Sequence, residues 1–245
     1  MEETRTMTTD TLFLKDAYQT EATGVVTALT EDGGVVLDHS LFYPTGGGQP
    51  GDSGALRWEN GEMTVTMANK GPDGTVVLVP AEGNTLPPVG TTVKQTLDWD
   101  RRLGHMRVHT CLHLLSVVIP LPVSGGAITA EKGRLDFAMP EPPEDKAALE
   151  AELQALIDQD LPVTEDWITD AELDANPGLV KTMSVAPPRG AGRVRLVRIG
   201  AGEEQVDLQP CGGTHVARTG EVGQIRLGKI EKKGKVNRRV YVHLI

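Results

Sequence analysis

The chain contains few cysteines and few aromatic residues. Its two cysteines, Cys111 and Cys211, lie a hundred positions apart, and tryptophan, tyrosine and phenylalanine each occur three times in 245 residues. Two distant cysteines exclude a disulfide framework and favour a reducing compartment, so we expect a cytoplasmic protein. The scarcity of aromatic rings predicts an aliphatic core and leaves little material for binding nucleic acid through base stacking.

Long hydrophobic runs are also missing. The longest, from Leu114 to Val123, is interrupted by Pro120 and Pro122 and is far shorter than the roughly 20 residues of a membrane helix. The first residues are charged and lead into no apolar stretch, so we expect no signal peptide and no membrane anchor. The composition is otherwise that of a folded globular protein of one or two domains.

Positive charge is scarce overall but concentrated near the carboxyl end. The net charge is −10, yet residues 181–245 hold 13 Lys and Arg against 5 Asp and Glu, clustered over 189–198 and 229–239. This asymmetry favours a phosphate-bearing partner on one face, although the same runs also suit solvated strands and turns. The candidate phosphate contacts are Arg193, Arg195, Lys232, Lys233 and Arg238.

The first hundred residues predict β structure. Short apolar or alternating runs are separated by turn-forming clusters rich in Gly and Asp, a spacing typical of a small barrel. We predict a β-barrel domain over residues 1–98. Its expected strands lie at 23–29, 34–39, 63–67, 75–79 and 91–97.

From residue 99 onward the pattern becomes mixed, and we predict a two-layer α+β domain over 99–245. Helical periodicity indicates helices at 101–118, 144–160 and 170–175. Strands are expected at 134–137, 163–168, 194–199, 224–229 and 239–244. The fold class is therefore α+β, with an amino-terminal barrel.

Two pairs of metal-binding residue types stand out in the second part. His109 and His113 form one pair, and Cys211 and His215 form the other, each spaced i, i+4 so that a helix would present both side chains on one face. Neutral imidazole and thiolate are ligands that zinc prefers. His105 extends the first stripe, and geometry alone does not select two of the three histidines.

Three segments together resemble a known family. They are FYPTGGGQPGD at 42–52, the stretch from Arg107 to Leu115 that contains both histidines of the first pair, and CGGTH at 211–215. In this order they are similar to the editing region of alanyl-tRNA synthetase, and more closely to its free-standing relatives, the AlaX-type alanyl-tRNA editing proteins of medium length. Thr45 departs from the pattern, where Glu is more common. His105 lies outside it, so the resemblance selects His109 and His113.

The resemblance implies a zinc-dependent hydrolase that acts in trans on alanine tRNA mischarged with serine, and also with glycine. It implies Zn²⁺ held by His109, His113 and Cys211, with His215 as fourth ligand or as a neighbouring catalytic base. An editing site also needs a polar contact for the serine hydroxyl, because an apolar pocket rejects an added hydroxyl only weakly. Thr129 is the first candidate for that contact and Gln49 the second.

Other functions remain open at this stage. A related metal site occurs in threonyl-tRNA synthetases, so deacylation of Ser-tRNA(Thr) is one alternative. A zinc-stabilised tRNA-binding module without catalysis is another, because four ligands are typical of a closed structural site. A metalloprotease is disfavoured, since no Glu follows His109. No segment resembles an ATP-binding synthetase core, so we expect no nucleotide cofactor.

Overall fold

The computed structural model describes residues 8–182 and 192–245, so part of the first basic cluster lies outside the described residues. The chain forms two compact units. The first, here called the barrel unit, comprises residues 8–46 and Pro50–Arg102. The second, called the metal unit, comprises Gly47–Gln49 and Leu103–Ile245. The Gly-rich segment is thus divided, and three of its residues pack with the metal unit.

The barrel unit is built around a closed barrel of six strands in the order β2-β3-β7-β6-β5-β8, with every neighbouring pair antiparallel. Two further short strands, β1 and β4, pair in parallel. The strands are β1 (Asp10–Thr11), β2 (Glu21–Leu29), β3 (Val35–Leu37), β4 (His39–Ser40), β5 (Gly54–Trp58), β6 (Gly61–Lys70), β7 (Val76–Pro80) and β8 (Thr92–Leu97).

Alternating burial explains the barrel. In β8, for example, Val93, Gln95 and Leu97 point inward while the residues between them are more exposed, which is the period-2 pattern of a strand with one buried face. The interior is filled mainly by Val and Leu, as the low aromatic content predicts. The barrel unit also contains a fully buried ion pair between Arg102 and Asp52. The Arg102 guanidinium donates in addition to the backbone carbonyls of Ala17 and Leu41.

The described residues of the metal unit contain two sheets, two α-helices and most of a third, α1, whose first turn belongs to the barrel unit. The four-stranded sheet has the order β14-β15-β10-β9, and the three-stranded sheet has the order β11-β12-β13. The elements are α1 (Trp99–Val118), β9 (Val123–Ile128), β10 (Lys132–Ala138), α2 (Lys146–Asp158), β11 (Val163–Ile168), α3 (Asp170–Ala175), β12 (Val194–Ile199), β13 (Asp207–Pro210), β14 (Ile225–Lys233) and β15 (Asn237–Leu244).

The observed architecture confirms the predicted α+β class and the barrel. Four strands of the described residues escaped prediction: β1, β5, β9 and β13. The strand expected at 34–39 covers β3 and the first residue of β4. Gly125 and Gly126 lie inside β9, which pairs with β10. The spacing of Cys211 and His215 is that of a helix, but residues 211–217 are not helical. No helix in the described residues has the length and apolar content needed to cross a membrane.

Candidate metal centre

Four side chains of the metal unit converge on one point. α1 supplies His109 and His113, one turn apart, and the loop after β13 supplies Cys211 and His215. One potential ligand atom from each residue lies within 4.8 Å of all the others. The histidines are buried and Cys211 is half-buried. The structure thus brings together all four predicted metal ligands, although only the first pair lies on a helix.

Each imidazole is held through its Nδ1 atom. His109 Nδ1 lies 3.0 Å from Gln49 Oε1, and His215 Nδ1 lies 3.1 Å from Thr110 Oγ1. His113 Nδ1 lies 3.0 Å from Asp207 Oδ2. Each partner can accept an N–H bond, which in a neutral ring would place the proton on Nδ1 and leave Nε2 with a free lone pair. Nε2 of His109 and of His215 face the Cys211 sulfur.

The spacing of these atoms matches a metal ion. Cys211 Sγ is 3.5 Å from His109 Nε2 and 3.3 Å from His215 Nε2. A tetrahedral zinc ion, with bonds of about 2.0 Å to nitrogen and about 2.3 Å to sulfur, would separate the two ligand types by about 3.5 Å. The ligand types and their spacing therefore fit a metal ion such as zinc.

The residues of the cluster differ in protonation. Burial raises the pKa of the Cys211 thiol, but the adjacent His109, His215 and His113 outweigh it, so the pKa lies well below its usual range. Burial and then His109 lower the pKa of His215 to about 3, which keeps this ring neutral. For His113 burial acts downward, but Cys211 and Asp207 raise the pKa to about 9. The pKa values thus describe a Cys211 thiolate beside a neutral His215 and a protonated His113, and a bound metal would displace the proton of His113.

A polar network lies behind His113. Asp207 is buried; its Oδ1 accepts from Lys181 Nζ at 2.6 Å, and its Oδ2 accepts from Gln209 Nε2 at 2.7 Å. Burial raises the pKa of Asp207, but the hydrogen bond and charge of His113, followed by Lys181, lower it to about 2. Asp207 therefore stays ionised and can orient His113 as the carboxylate of a carboxylate–histidine–metal arrangement.

The loop that carries Cys211 is fixed by two other residues. Arg195 donates from Nη1 to the carbonyls of Cys211 and Gly213, at 2.9 and 2.8 Å, and its Nη2 binds Glu165. Gln49 donates to Thr214 Oγ1 at 2.9 Å and accepts from the Thr214 N–H at 3.1 Å. Gln49 is 1 % exposed, so it joins the loop to the His109 ring inside the unit.

The remaining predicted site residues lie elsewhere. Thr129 is exposed at the end of β9, where its hydroxyl donates to Lys132 O and accepts from two N–H groups of the turn. His105 is buried, yet it is not a member of the metal cluster. Cys111 is also buried away from the cluster, and burial raises its pKa to about 12.

The candidate phosphate contacts divide into two groups. Arg193, Lys232 and Lys233 are exposed. Arg195 and Arg238 are 7 % and 8 % exposed, and both guanidinium groups donate to backbone carbonyls of the protein. The structure thus gives Arg195 and Arg238 internal partners, contrary to the role expected for them as surface cations.

Sequence reasoning overlooked the partners of the metal ligands. It assigned no role to Thr110 or Asp207, which hold His215 and His113. A signal for Asp207 was present: Asp207, Gln209 and Cys211 alternate, so a strand places all three on one face. The signal was missed because β13 itself was not predicted.

Comparison with known proteins relates both units to aminoacyl-tRNA synthetases. Residues 194–241, which include Cys211 and His215, match the family described as the threonyl and alanyl tRNA synthetase second additional domain. Residues 3–101 match the family described as tRNA synthetases class II (A). The barrel and the segment that carries Cys211 and His215 are therefore similar to parts of aminoacyl-tRNA synthetases, the class of proteins to which the two family descriptions refer.

Relatives of known name narrow this class. An alanyl-tRNA editing protein AlaX-M from Methanosarcina acetivorans is 34% identical, over 97% of this chain and 99% of its own. AlaX-M from Saccharolobus solfataricus is 34% identical over 95% of this chain and 98% of its own. An alanine–tRNA ligase from Caldivirga maquilingensis is 34% identical over 90% of this chain but only 25% of the ligase. The chain belongs to the AlaX-M family of alanyl-tRNA editing proteins.

Proposed function

We propose that this protein hydrolyses the ester of alanine tRNA mischarged with serine, with the glycine ester as a second substrate, and that it acts in trans as a free-standing protein. The observation that carries the proposal is the His₃Cys centre in a chain that matches AlaX-M proteins over nearly their whole length. The free-standing relatives match end to end, whereas the ligase matches over a quarter of its length, which supports action in trans.

The metal that we propose is Zn²⁺, held by His109, His113, Cys211 and His215. Bound there, zinc would supply Lewis acidity, polarising the ester carbonyl or lowering the pKa of a water molecule toward about 7. The protein's own part is orientation. Gln49, Thr110 and Asp207 fix the three rings, and Arg195 holds the Cys211 loop.

His215 is proposed as a ligand and not as the base. A general base at neutral pH works best with a pKa near the working pH, and the pKa of His215 is lowered to about 3. The Nδ1 atom of His215 also lies 3.1 Å from Thr110 Oγ1, so this side of the ring already has a hydrogen-bond partner.

For serine selection, Gln49 is the stronger of the two candidates. The Thr129 hydroxyl is engaged in its own turn, whereas Gln49 contacts both His109 and the Cys211 loop. The Gln49 amide has two N–H donors, and Thr214 Oγ1 takes one of them. We propose that the other donates to the serine hydroxyl.

Phosphate contacts are proposed for the exposed residues Arg193, Lys232 and Lys233. A reducing cytoplasm is proposed as the compartment, because Cys211 must remain reduced to bind metal.

A deacylation panel tests the proposal. The purified chain is incubated with alanine tRNA charged with serine, glycine or alanine, and with threonine tRNA charged with serine. We expect rapid loss of serine from alanine tRNA, with slower loss of alanine. Faster hydrolysis of Ser-tRNA(Thr) would redirect the proposal to threonine tRNA, and no hydrolysis of any ester would refute it.

The second candidate is a tRNA-binding module that uses the metal only for stability. The convergence of four ligands favours it, because structural zinc sites are usually closed in this way. Chelation separates the candidates: removal of a structural zinc unfolds its domain, whereas removal of a catalytic zinc leaves a folded protein without activity.

A further inference from the structure

The chain has one exposed tryptophan. Trp167, in β11, is 43% exposed, whereas Trp58 and Trp99 are half-buried. Within the described residues, Trp167 makes no ring contact and no side-chain hydrogen bond, unlike Trp99, which packs on Tyr18. A single exposed apolar residue is ordinary, so Trp167 is informative only through the groups beside it.

Trp167 lies in a row with the metal centre. Across the three-stranded sheet it pairs with Arg195, and the Cys211 N–H bond to Arg195 O, at 3.1 Å, continues that row to Cys211. Directly paired residues present their side chains on one face of a sheet. Two strand spacings of about 4.8 Å separate the Trp167 backbone from that of Cys211 by about 10 Å.

Arg195, between them, adds a second observation. Among residues 8–182 and 192–245, no group accepts a hydrogen bond from the Arg195 Nε–H, although the side chain is almost completely buried. A buried donor without an acceptor costs free energy, and a ligand oxygen would recover it once the side chains that cover the Nε atom move aside. The sheet face between Trp167 and Cys211 thus offers an aromatic surface, an unused donor and a metal centre in sequence.

We propose that Trp167 stacks on the terminal base of the RNA whose ester is hydrolysed, with Arg195 facing the ribose of the same nucleoside. This rests on the proposed function, because it takes the scissile ester to lie at the metal centre. The ester is attached to the terminal ribose, so the base of that nucleoside lies about one nucleoside length away, on the side of Trp167. Aromatic stacking accepts any base and so suits a 3′ end that needs positioning rather than reading.

Binding of uncharged RNA tests the proposal without any hydrolysis. The probe is an RNA hairpin that copies the acceptor stem of alanine tRNA with its single-stranded 3′ end, compared with the same hairpin lacking the terminal nucleoside. Trp167→Ala should weaken binding of the full hairpin by about five- to 150-fold and leave binding of the shortened one unchanged. Trp167→Phe should restore most of the affinity.

The matched control is Leu121→Ala, an apolar residue that is 37% exposed outside this sheet. It should bind both hairpins as the wild type does. Equal binding of the full hairpin by Trp167→Ala and wild type would overturn the proposal, as would a loss of bound metal or of melting temperature in Trp167→Ala, which would indicate a structural role. Stacking without deacylation in the wild type would instead refute the proposed hydrolysis.

Discussion

At the scale of single residues, the three rings of the metal centre differ in the group that holds them. His109 is held by an amide oxygen, His215 by a hydroxyl and His113 by a carboxylate. A carboxylate partner makes the imidazole a more basic ligand than a neutral partner does. His113 should therefore be the strongest of the three nitrogen donors, and its strength should depend on Asp207.

Replacing Asp207 tests this dependence. Asp207→Asn keeps an oxygen for His113 but removes the charge and leaves Lys181 without its ion partner. We expect zinc affinity to fall by about ten- to a hundredfold, the usual effect of losing a group behind a ligand. Competition with a zinc-binding dye measures it. Asp166→Asn is the control, because Asp166 is exposed on β11 and pairs with Arg198; equal affinities in the two variants would contradict the role of Asp207.

The two cysteines form a natural matched pair. The lowered pKa of Cys211 makes it a thiolate at pH 8, whereas Cys111, with a pKa raised to about 12, stays protonated there. In metal-free protein, iodoacetamide should therefore modify Cys211 alone, since the thiolate is the nucleophile. Zinc should protect it, and mass spectrometry should then find no modified cysteine.

The zinc content of variants at the two cysteines tests which of them binds the metal. Elemental analysis of Cys211→Ala should show strong loss of zinc, and His109→Ala should behave alike. Cys111→Ala and His105→Ala should keep about one zinc per chain. Full occupancy in Cys211→Ala would remove this residue from the ligand set.

At the scale of elements, the loop after β13 depends on a glycine. A Cβ atom at Gly213 would overlap the His109 ring and lie 2.8 Å from Gln49 Oε1. Gly213→Ala should therefore displace His109 and lower zinc affinity by about tenfold or more, with a loss of about 1–3 kcal/mol in stability from overpacking. Zinc titration and thermal unfolding measure the two effects.

The control is Gly178→Ala. A Cβ there meets no atom within 4 Å, so zinc affinity and stability should stay close to those of the wild type. If both alanine variants bind zinc alike, the loop adapts more easily than the contacts indicate.

The β14–β15 hairpin carries the exposed lysines. Lys232 and Lys233 lie near its tip, and Lys233 has only a distant ion pair with Glu231, at 4.0 Å. Replacing both with Ala should flatten the log–log dependence of tRNA affinity on salt by about two, one for each lost phosphate contact. Lys94→Ala, in the barrel and paired with Glu21, serves as control. An unchanged slope in the double variant would mean that the hairpin is solvated surface.

Prediction of elements from the sequence succeeded where periodicity was regular. Strands at 163–168 and 194–199 and the helix at 170–175 have the predicted bounds. β9 and β13 were not predicted. Gly125 and Gly126 weaken the local strand preference of β9, and Pro210 weakens that of β13, but tertiary pairing overrides such preferences. The i, i+4 spacing of Cys211 and His215 predicted that the two side chains lie close together, and they do. They do not lie on a helix, because a loop held by Arg195 brings them together.

At the scale of the whole molecule, motif order alone identified the family, but it could not supply the groups around the ligands. Asp207 and Thr110 act through contacts between residues about a hundred positions apart, and no local pattern encodes such pairs. The basic cluster shows the opposite error. Counting charges made Arg195 and Arg238 surface cations. Arg195 instead lies in β12, which is buried along most of its length, and Arg238 lies on the buried face of β15.

Metal removal is the test that involves the entire chain. We expect chelation to abolish deacylation and to leave the circular dichroism of the barrel largely unchanged, because the barrel unit has a core of its own. Zinc should restore activity. Complete unfolding on chelation would favour a structural role for the metal.

The assignment of Gly47–Gln49 to the metal unit has a consequence for how this protein can be divided or recombined. A fragment that starts after the barrel contains all four metal ligands but lacks Gln49, the acceptor for His109. Exchange of the barrel for that of another protein would therefore also exchange part of the metal site. A chimeric or divided version of this protein therefore has to include the segment Gly47–Gln49 as well as the part of the chain that carries the histidines.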